Sequence, residues 1–184
     1  MKKLARDVGT LDFGDRARFP RRTSTDYLVI HCIAEFLAPD DKRDTVQYCT
    51  NFLLEAGLSY HYVITPSGTI LRLVPRDRIA AHAKGYNSNS IGIALMVPGI
   101  LTYAKFHEIL ISGTDYRTPE QAKALAKLLP ELMDLYPSAQ LIGHDELDPN
   151  RKVDPGAYLP MDQLRQAAED GWTTWPFTRE ETDV

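Results

Sequence analysis

The sequence predicts a single α/β domain with a central mixed β-sheet flanked by helices. Short apolar runs bounded by polar residues are typical of buried strands, and they alternate with capped segments whose apolar residues recur at helical spacing. Two β-rich runs around a glycine-containing turn predict a hairpin. The 184 residues, 43% hydrophobic and 25% charged, are enough to bury a core without disulfide support. The economical interpretation is therefore one domain.

The first third of the chain combines an irregular segment, a strand and a helix. Residues 1–25 show no clear periodicity and predict an N-terminal arm, which is locally basic. Residues 26–33 form a strongly apolar run and predict a buried strand. Asp44 and Gln47 resemble a capping box, and the apolar spacing that follows predicts a helix over 44–57.

The middle of the chain predicts a hairpin and a second buried strand. The hairpin covers 60–74, with its turn at residues 66–68, and the strand covers 91–97. Residues 98–116 fit no pattern well. We expect an insertion of moderate length there, with one helical turn near Phe106.

The last third begins with a strong helix signal. Thr118 is a suitable cap for a helix whose apolar face extends to residue 132, and Pro130 should kink or divide that helix. Residues 139–143 predict a strand, and a last helix is expected from Pro160 to about residue 168. These elements predict a domain over 26–170, followed by a C-terminal tail over 171–184 that packs on the domain or extends from it.

Charge and composition exclude several classes of protein. The net charge of -4 provides no global basic field for nucleic acid. Cys32 and Cys49 do not make a disulfide framework. No apolar run follows the basic start as a signal peptide requires, and none is long enough for stable membrane insertion. We therefore expect synthesis in the cytoplasm, with release by another system if the substrate lies outside the membrane.

The strand predicted over residues 139–143 leads to a candidate metal site. This strand delivers His144 to its end, and a loop rich in Asp, Pro and Gly then returns Lys152 and Asp154 toward it. Imidazole, carboxylate and ammonium groups brought together in this way predict a metal-dependent hydrolase. At least one more ligand must come from elsewhere, and His31 and His82 are the candidates.

Four segments in order carry a resemblance to a known family, and they span most of the chain. They are residues 28–32, residues 58–64 with 67–70, residues 81–93, and residues 143–144 with 151–156. Through them the chain resembles the zinc-dependent N-acetylmuramoyl-L-alanine amidases of the type-2 amidase group. This group includes T7-type phage lysozymes, wall-recycling amidases and peptidoglycan recognition proteins, and it implies their α/β fold.

The resemblance implies a metal centre and two catalytic residues. His31, His144 and Asp154 would bind one zinc ion, leaving the fourth position to water. Lys152 would stabilise the oxyanion, and Tyr60 would orient the water or donate to the oxyanion or the leaving nitrogen. An aspartate as third ligand is similar to the recycling amidases, whereas the tyrosine is similar to the T7-type enzymes.

The resemblance also suggests substrate contacts and leaves one role open. His82 belongs to a segment that lines the peptidoglycan groove in the relatives, and Asn87 and Asn89 are further candidates for contact with sugar or peptide. The recycling amidases carry a glutamate where this chain has Ala94. The general base is therefore open, with Glu146 as a possible substitute.

The implied reaction is hydrolysis of the amide bond between N-acetylmuramic acid and L-alanine in peptidoglycan. We expect a lytic enzyme, either a phage endolysin or an antibacterial effector, that acts in the cell wall or periplasm. The alternatives are a cytoplasmic recycling amidase acting on anhydro-muropeptides and a non-catalytic module that binds peptidoglycan. The expected partner is peptidoglycan or a muropeptide. No signal in the sequence identifies an immunity or regulatory protein as a further partner.

Overall fold

One mixed sheet of six strands organises the part of the chain that the structure describes. The computed structural model describes residues 6–7, 19–20, 24–35 and 52–173. The strands are β1 Arg6–Asp7, β2 Tyr27–Glu35, β3 Tyr62–Ile64, β4 Ile70–Arg72, β5 Ser90–Ile100 and β6 Gln140–Gly143. Their order across the sheet is β1-β4-β3-β5-β2-β6, in which β3 and β4 pair antiparallel and all other neighbours pair parallel. The predicted α/β domain with a mixed sheet is confirmed.

Four helices follow the long strand β5. They are α1 Tyr103–Ser112, α2 Pro119–Leu135, α3 His144–Leu147 and α4 Met161–Glu169. The predicted start of α2 is confirmed, because the Thr118 side chain accepts from the Gln121 amide while the Gln121 side chain accepts from the Thr118 amide. Of the two effects predicted for Pro130, a division of the helix is wrong, since α2 continues to Leu135, and a kink stays a prediction.

Alternation along the strands sends apolar side chains into two cores. On one face Leu28, Ile30 and Cys32 of β2 pack in the larger core, to which α1, α2 and α4 also contribute. On the opposite face Ile33 and Ala94 pack in a smaller core. Successive residues of a strand point to opposite faces, so His31 lies on the face of the smaller core.

Helix α1 corrects the expectation of an irregular insertion over 98–116. The Thr102 side chain accepts from the Lys105 amide at the N-terminus of α1. Gly113 ends the helix in the left-handed region, with φ 69°. A hydroxyl cap and a C-terminal glycine are ordinary helix boundaries. Residues 98–100 thus belong to β5, and residues 103–112 form a ten-residue helix beside the sheet.

The ends of the described chain add to this domain. Arg6 and Asp7 of the predicted arm pair with β4, and Pro20 forms an isolated bridge with Arg78. Trp172 of the predicted tail packs against the larger core. The domain limits at residues 25 and 170 stay predictions, because most of the arm and the tail beyond 173 lie outside the described residues, as does the predicted helix start at residue 44. None of the helices in the described ranges is long and apolar enough to cross a membrane.

Candidate metal centre and its cleft

The strand register brings two histidines together. Ile30 of β2 pairs with Gly143 of the parallel strand β6, and His31 and His144 each come one residue later. The two imidazole rings lie with their centroids 4.4 Å apart, and both side chains are almost fully buried. Two ligands separated by most of the chain length are thus neighbours across one pair of strands.

The loop after α3 adds a carboxylate to the two imidazoles. The Asp145 amide donates to the Asp154 carbonyl at 2.7 Å, which holds the loop against the start of α3. Asp154 Oδ2 then lies 3.0 Å from His31 Nδ1 and 3.1 Å from His144 Nδ1. Gly143 permits this close approach, because an added Cβ would clash with the Asp145 carboxylate and meet Pro155 at 3.1 Å.

The electrostatics leave these groups in the protonation states that a metal needs. Burial lowers the pKa of His31 to about 4, against the opposing effect of Asp154, so the imidazole is neutral at pH 7. Burial alone would raise the pKa of Asp154, but hydrogen bonds from His144 and His31 outweigh it and hold that pKa below its usual range. A neutral imidazole and a carboxylate are both competent metal ligands.

The geometry of the three donors fits a tetrahedral zinc site. One atom from each of His31, His144 and Asp154 lies within 4.8 Å of the others. Zinc bonds of about 2.0–2.2 Å place tetrahedral ligand atoms about 3.3 Å apart. The two nitrogen–oxygen distances of 3.0 and 3.1 Å are close to that value. These residues could therefore hold a metal ion, and two of them, His144 and Asp154, line the cleft.

Lys152 and Tyr60 both line the cleft beside this centre. The Tyr60 ring meets the His31 ring edge-on, with centroids 5.0 Å apart. After burial and the charge of His144, the positive charge of Lys152 also contributes to the lowered pKa of His31. Among the residues that the structure describes, no carboxylate lies within 4.0 Å of the Lys152 ammonium, so its charge is available to a ligand. The structure thus brings together five of the predicted site residues, while their roles stay predictions.

The three predicted substrate contacts have other neighbours. His82 lines the cleft but is 5% exposed, and its ring nitrogens lie 3.0 Å from His31 Nε2 and 3.2 Å from Ser90 Oγ. The Asn87 side-chain oxygen accepts from the amides of His82 and Ala83. These bonds shape the loop that carries His82.

Asn89 lies at the other end of that loop. Its side-chain nitrogen donates to Asp26 at 2.9 Å, next to the start of β2. Neither Asn87 nor Asn89 is among the described residues that line the cleft. Their contact with substrate stays a prediction that these hydrogen bonds do not support.

Helix α1 forms a wall of the cleft that the sequence did not reveal. The cleft has a volume of about 480 Å³, and Tyr103, Phe106 and His107 line it from α1. Tyr103 is 72% exposed at the rim. These residues were missed because their segment was expected to be irregular. Their helical i, i+3 and i+4 spacing was the signal that could have found them.

Glu146 is not placed to act as a general base. Its carboxylate pairs with Arg165 through two contacts of 3.0 Å, and it also accepts from the Gly143 amide at 2.7 Å. It lines a separate cavity beside α4 rather than the metal cleft. Among the described residues that line the cleft, Asp154 is the only carboxylate.

Comparisons with known proteins point to one family. Residues 21–157 match the family model for N-acetylmuramoyl-L-alanine amidase. The endolysin of Escherichia phage T7 is 34% identical over 137 residues, which cover 73% of this chain and 83% of the endolysin. The 1,6-anhydro-N-acetylmuramyl-L-alanine amidase AmpD of Escherichia coli (strain K12) is 32% identical over 118 residues, or 59% of this chain and 57% of AmpD.

Solved structures show the same fold. The endolysin N-acetylmuramoyl-L-alanine amidase LysCS from Clostridium intestinale URNW aligns with a TM-score of 0.63 at 24% identity, covering 92% of this chain and 97% of LysCS. The ectodomain complex of the peptidoglycan recognition proteins LCa and LCx gives a TM-score of 0.55 at 20% identity, covering 80% of this chain and 85% of the matched one. With the family match over residues 21–157, the chain belongs to the N-acetylmuramoyl-L-alanine amidase family and is an amidase that acts on peptidoglycan.

Proposed function

We propose that this amidase uses one zinc ion, held by His31, His144 and Asp154, to hydrolyse the bond between N-acetylmuramic acid and L-alanine. The observation that carries the proposal is the convergence of two imidazole nitrogens on one carboxylate oxygen at 3.0 and 3.1 Å. When bound, zinc lowers the pKa of its water to about 7 and polarises the carbonyl of the substrate.

Lys152 stabilises the charge that develops during the reaction. As the amide carbon becomes tetrahedral, its oxygen becomes negative and needs donors that are already in place. Lys152 lines the cleft, and its positive charge contributes to the electrostatics of His31. Lys152 therefore donates to the oxyanion.

Tyr60 orients the reacting groups beside the centre. Its ring packs edge-on against His31, and burial limits the motion of its side chain. From this position the hydroxyl orients the attacking water or donates to the leaving nitrogen. With Glu146 held by Arg165, no glutamate is assigned as general base.

The cleft accepts a substrate larger than the scissile bond. Its volume of about 480 Å³ lies within the 300–1,000 Å³ common for ligand sites. The aromatic residues of α1 provide an apolar surface against which a sugar ring or stem-peptide side chain can pack. The metal centre holds the amide, and α1 contacts the group beside it.

We further propose a lytic role on intact cell wall, in which another system releases the enzyme from the cytoplasm. The endolysin of phage T7 supports this choice through its identity over 73% of this chain, compared with 59% for AmpD. The third ligand Asp154 is the feature that favours the alternative, a recycling amidase. A binding module without catalysis is the last candidate, and the complete set of donors counts against it.

A digest of purified peptidoglycan tests the reaction and the metal together. The protein is assayed as isolated, after chelation and after zinc is restored, and the products are identified by mass spectrometry. New L-alanine amino termini should vanish with chelator, return with zinc, and be absent in His31→Ala and Asp154→Asn. Wall binding without new termini under any condition would favour the binding module.

Two substrates separate the biological roles. Intact sacculi and soluble anhydro-muropeptides are compared at equal concentrations of the zinc-loaded enzyme. Cleavage of sacculi supports the lytic role. Efficient cleavage of the soluble fragments alone would contradict it and would favour the recycling amidase.

A further inference from the structure

A chain of hydrogen bonds leads from the metal centre into the protein interior. His31 turns Nδ1 toward Asp154, and its other nitrogen, Nε2, lies 3.0 Å from His82 Nδ1. His82 Nε2 lies 3.2 Å from Ser90 Oγ, which donates to the Tyr86 carbonyl at 2.6 Å. His31, His82 and Ser90 are 0%, 5% and 0% exposed. We refer to these four linked groups, from His31 to the Tyr86 carbonyl, as the inner chain.

The far end of the inner chain fixes the direction of every bond in it. A carbonyl only accepts, so the single hydroxyl proton of Ser90 is used at Tyr86. Ser90 Oγ must then accept from His82 Nε2, which places the proton of a neutral His82 on that nitrogen. In the zinc-loaded protein His82 Nδ1 is therefore the acceptor for His31 Nε2–H. The lone pair of His31 Nδ1 would then be available to the ion, in place of the hydrogen bond that Nδ1 makes to Asp154 in this structure.

We propose that His82 is a positioning residue that holds His31 in the tautomer and orientation needed to bind zinc. The proposal rests on the zinc centre proposed above. Hydrogen bonds to the second nitrogen of a ligating histidine fix its tautomer and ring orientation, and their loss typically weakens metal binding. His82 therefore acts through His31 rather than by touching substrate.

Close packing around His82 restricts the position of its ring. A Cβ added to Gly92 would lie 2.6 Å from His82 Cγ, so the ring rests directly on the backbone of β5. The Asn87 side chain holds the His82 and Ala83 amides at 3.0 and 2.7 Å. Gly92 thus leaves room for the ring, and Asn87 holds the backbone that carries it.

The other ligand histidine lacks such a partner in the described structure. His144 Nε2 is buried, and no hydrogen-bond partner for it is found within the described ranges. The inner chain therefore orients His31, whereas strand β6 and helix α3 place His144 through the backbone. We expect changes in the inner chain to act on the metal through His31.

Variants at His82 and Ser90 test the proposal by measuring zinc affinity in competition with a chromophoric chelator. His82→Leu removes the acceptor for His31 Nε2–H and should weaken zinc binding about 10- to 100-fold. His82→Gln supplies a carbonyl oxygen in the same region and should restore part of that loss. Ser90→Ala should also weaken binding, because it removes the acceptor that sets the His82 tautomer.

Gln121→Leu is the control for a loss of buried packing. Gln121 is 0% exposed, and its side-chain nitrogen donates to the Ile64 and Met96 carbonyls at 3.2 and 2.7 Å. Among the described residues, the hydrogen bonds found for its side chain involve neither His82 nor the proposed metal ligands. Gln121→Leu should lower the melting temperature and leave zinc affinity unchanged, so a general loss of packing is distinguished from a loss of positioning.

Kinetics and spectroscopy complete the test. At saturating zinc, KM for muropeptide should be unchanged in His82→Gln, because the ring does not contact substrate. A raised KM with unchanged zinc affinity would overturn the proposal in favour of substrate contact. Should the variants fail to fold, two-bond 1H–15N spectra of the zinc-loaded wild type decide the question. The His82 proton is expected on Nε2, and finding it on Nδ1 would overturn the proposal.

The outcomes also separate this proposal from the one on which it rests. A wild-type protein that binds no zinc would overturn both. Tight zinc binding that is equal in wild type and His82→Leu would overturn the role of His82 alone and leave the zinc amidase intact.

Discussion

Gly92→Ala should destabilise the protein, because the added methyl group would clash with the buried ring of His82. The added Cβ would lie 2.6, 2.7 and 2.9 Å from three atoms of the His82 ring, whereas ordinary contact begins at 3.4 Å. The ring must therefore move by about 0.8 Å, the difference between 3.4 and 2.6 Å. His82 is held at both nitrogens, at 3.0 Å by His31 and at 3.2 Å by Ser90, so the movement strains or breaks these bonds.

The expected cost follows from overpacking in a buried site. Such insertions cost about 1–3 kcal/mol. At about 2–4 °C per kcal/mol for a chain of this size, the melting temperature of the metal-free protein should fall by about 2–12 °C. Zinc affinity should fall as well, because the displaced ring no longer supports His31.

A double-mutant cycle identifies the ring as the cause. Differential scanning calorimetry is performed on wild type, Gly92→Ala, His82→Ala and the double variant, all free of metal. If the Cβ clashes with the ring, Gly92→Ala should cost much less in the His82→Ala background, with a coupling of about 0.5–3 kcal/mol. Strictly additive losses would refute this reasoning, since the cost of the methyl group would then arise elsewhere.

Three further changes test other parts of the molecule. Lys152→Ala should lower kcat about 10²- to 10³-fold without changing zinc affinity, because it removes the donor to the oxyanion; a loss below tenfold would contradict that role. Gln121→Leu should lower the free energy of unfolding, measured with urea, by about 1–3 kcal/mol, because it leaves the Ile64 and Met96 carbonyls without this buried donor. A loss below about 0.5 kcal/mol would count against these two hydrogen bonds as a source of stability. Tyr103→Ala should raise KM about 2- to 12-fold with an unchanged melting temperature, whereas Ile111→Ala, on the same helix but outside the cleft lining, should leave both unchanged; equal effects of the two would show that α1 contributes no specific contact.

Local patterns were sufficient to predict the main strands and to mark two histidines beside them, whereas the proposed ligand set came from the resemblance to a family. The apolar runs of β2, β5 and β6 are longer than a surface segment would have. Thr118 and Gln121 together form a complete capping box. His31 and His144 follow such runs directly. A histidine that directly follows a buried apolar run is visible in the sequence even when the partner strand is not.

Other features depend on contacts that no local pattern contains. Pro130 suggests a helix break, yet buried Leu128, Leu129 and Leu132 hold that part of α2 against the sheet. Helix α1 has no acidic residue in its first turn and buries only Leu110 fully, so its periodicity is weak.

The role inferred for His82 was equally hidden. Its ring meets His31 across 51 positions of sequence, and only the placement of both rings in space shows which nitrogen faces which. The sequence motif indicated a groove residue, whereas the geometry indicates a support for the metal ligand.

The position of Asp154 beside His31 has a consequence for the order in which the protein assembles. These residues are 123 positions apart, and the hydrogen bond between them closes nearly the whole domain into a loop. Closing so long a loop is entropically costly, so a contact of this kind forms late unless intervening structure has already brought its ends together. The proposed ion would therefore stabilise a sheet that has already formed rather than nucleate its folding. Its release should be felt first at edge strand β6 and the loop to Asp154, where protection from hydrogen exchange would fall before the central strands β5 and β2 open.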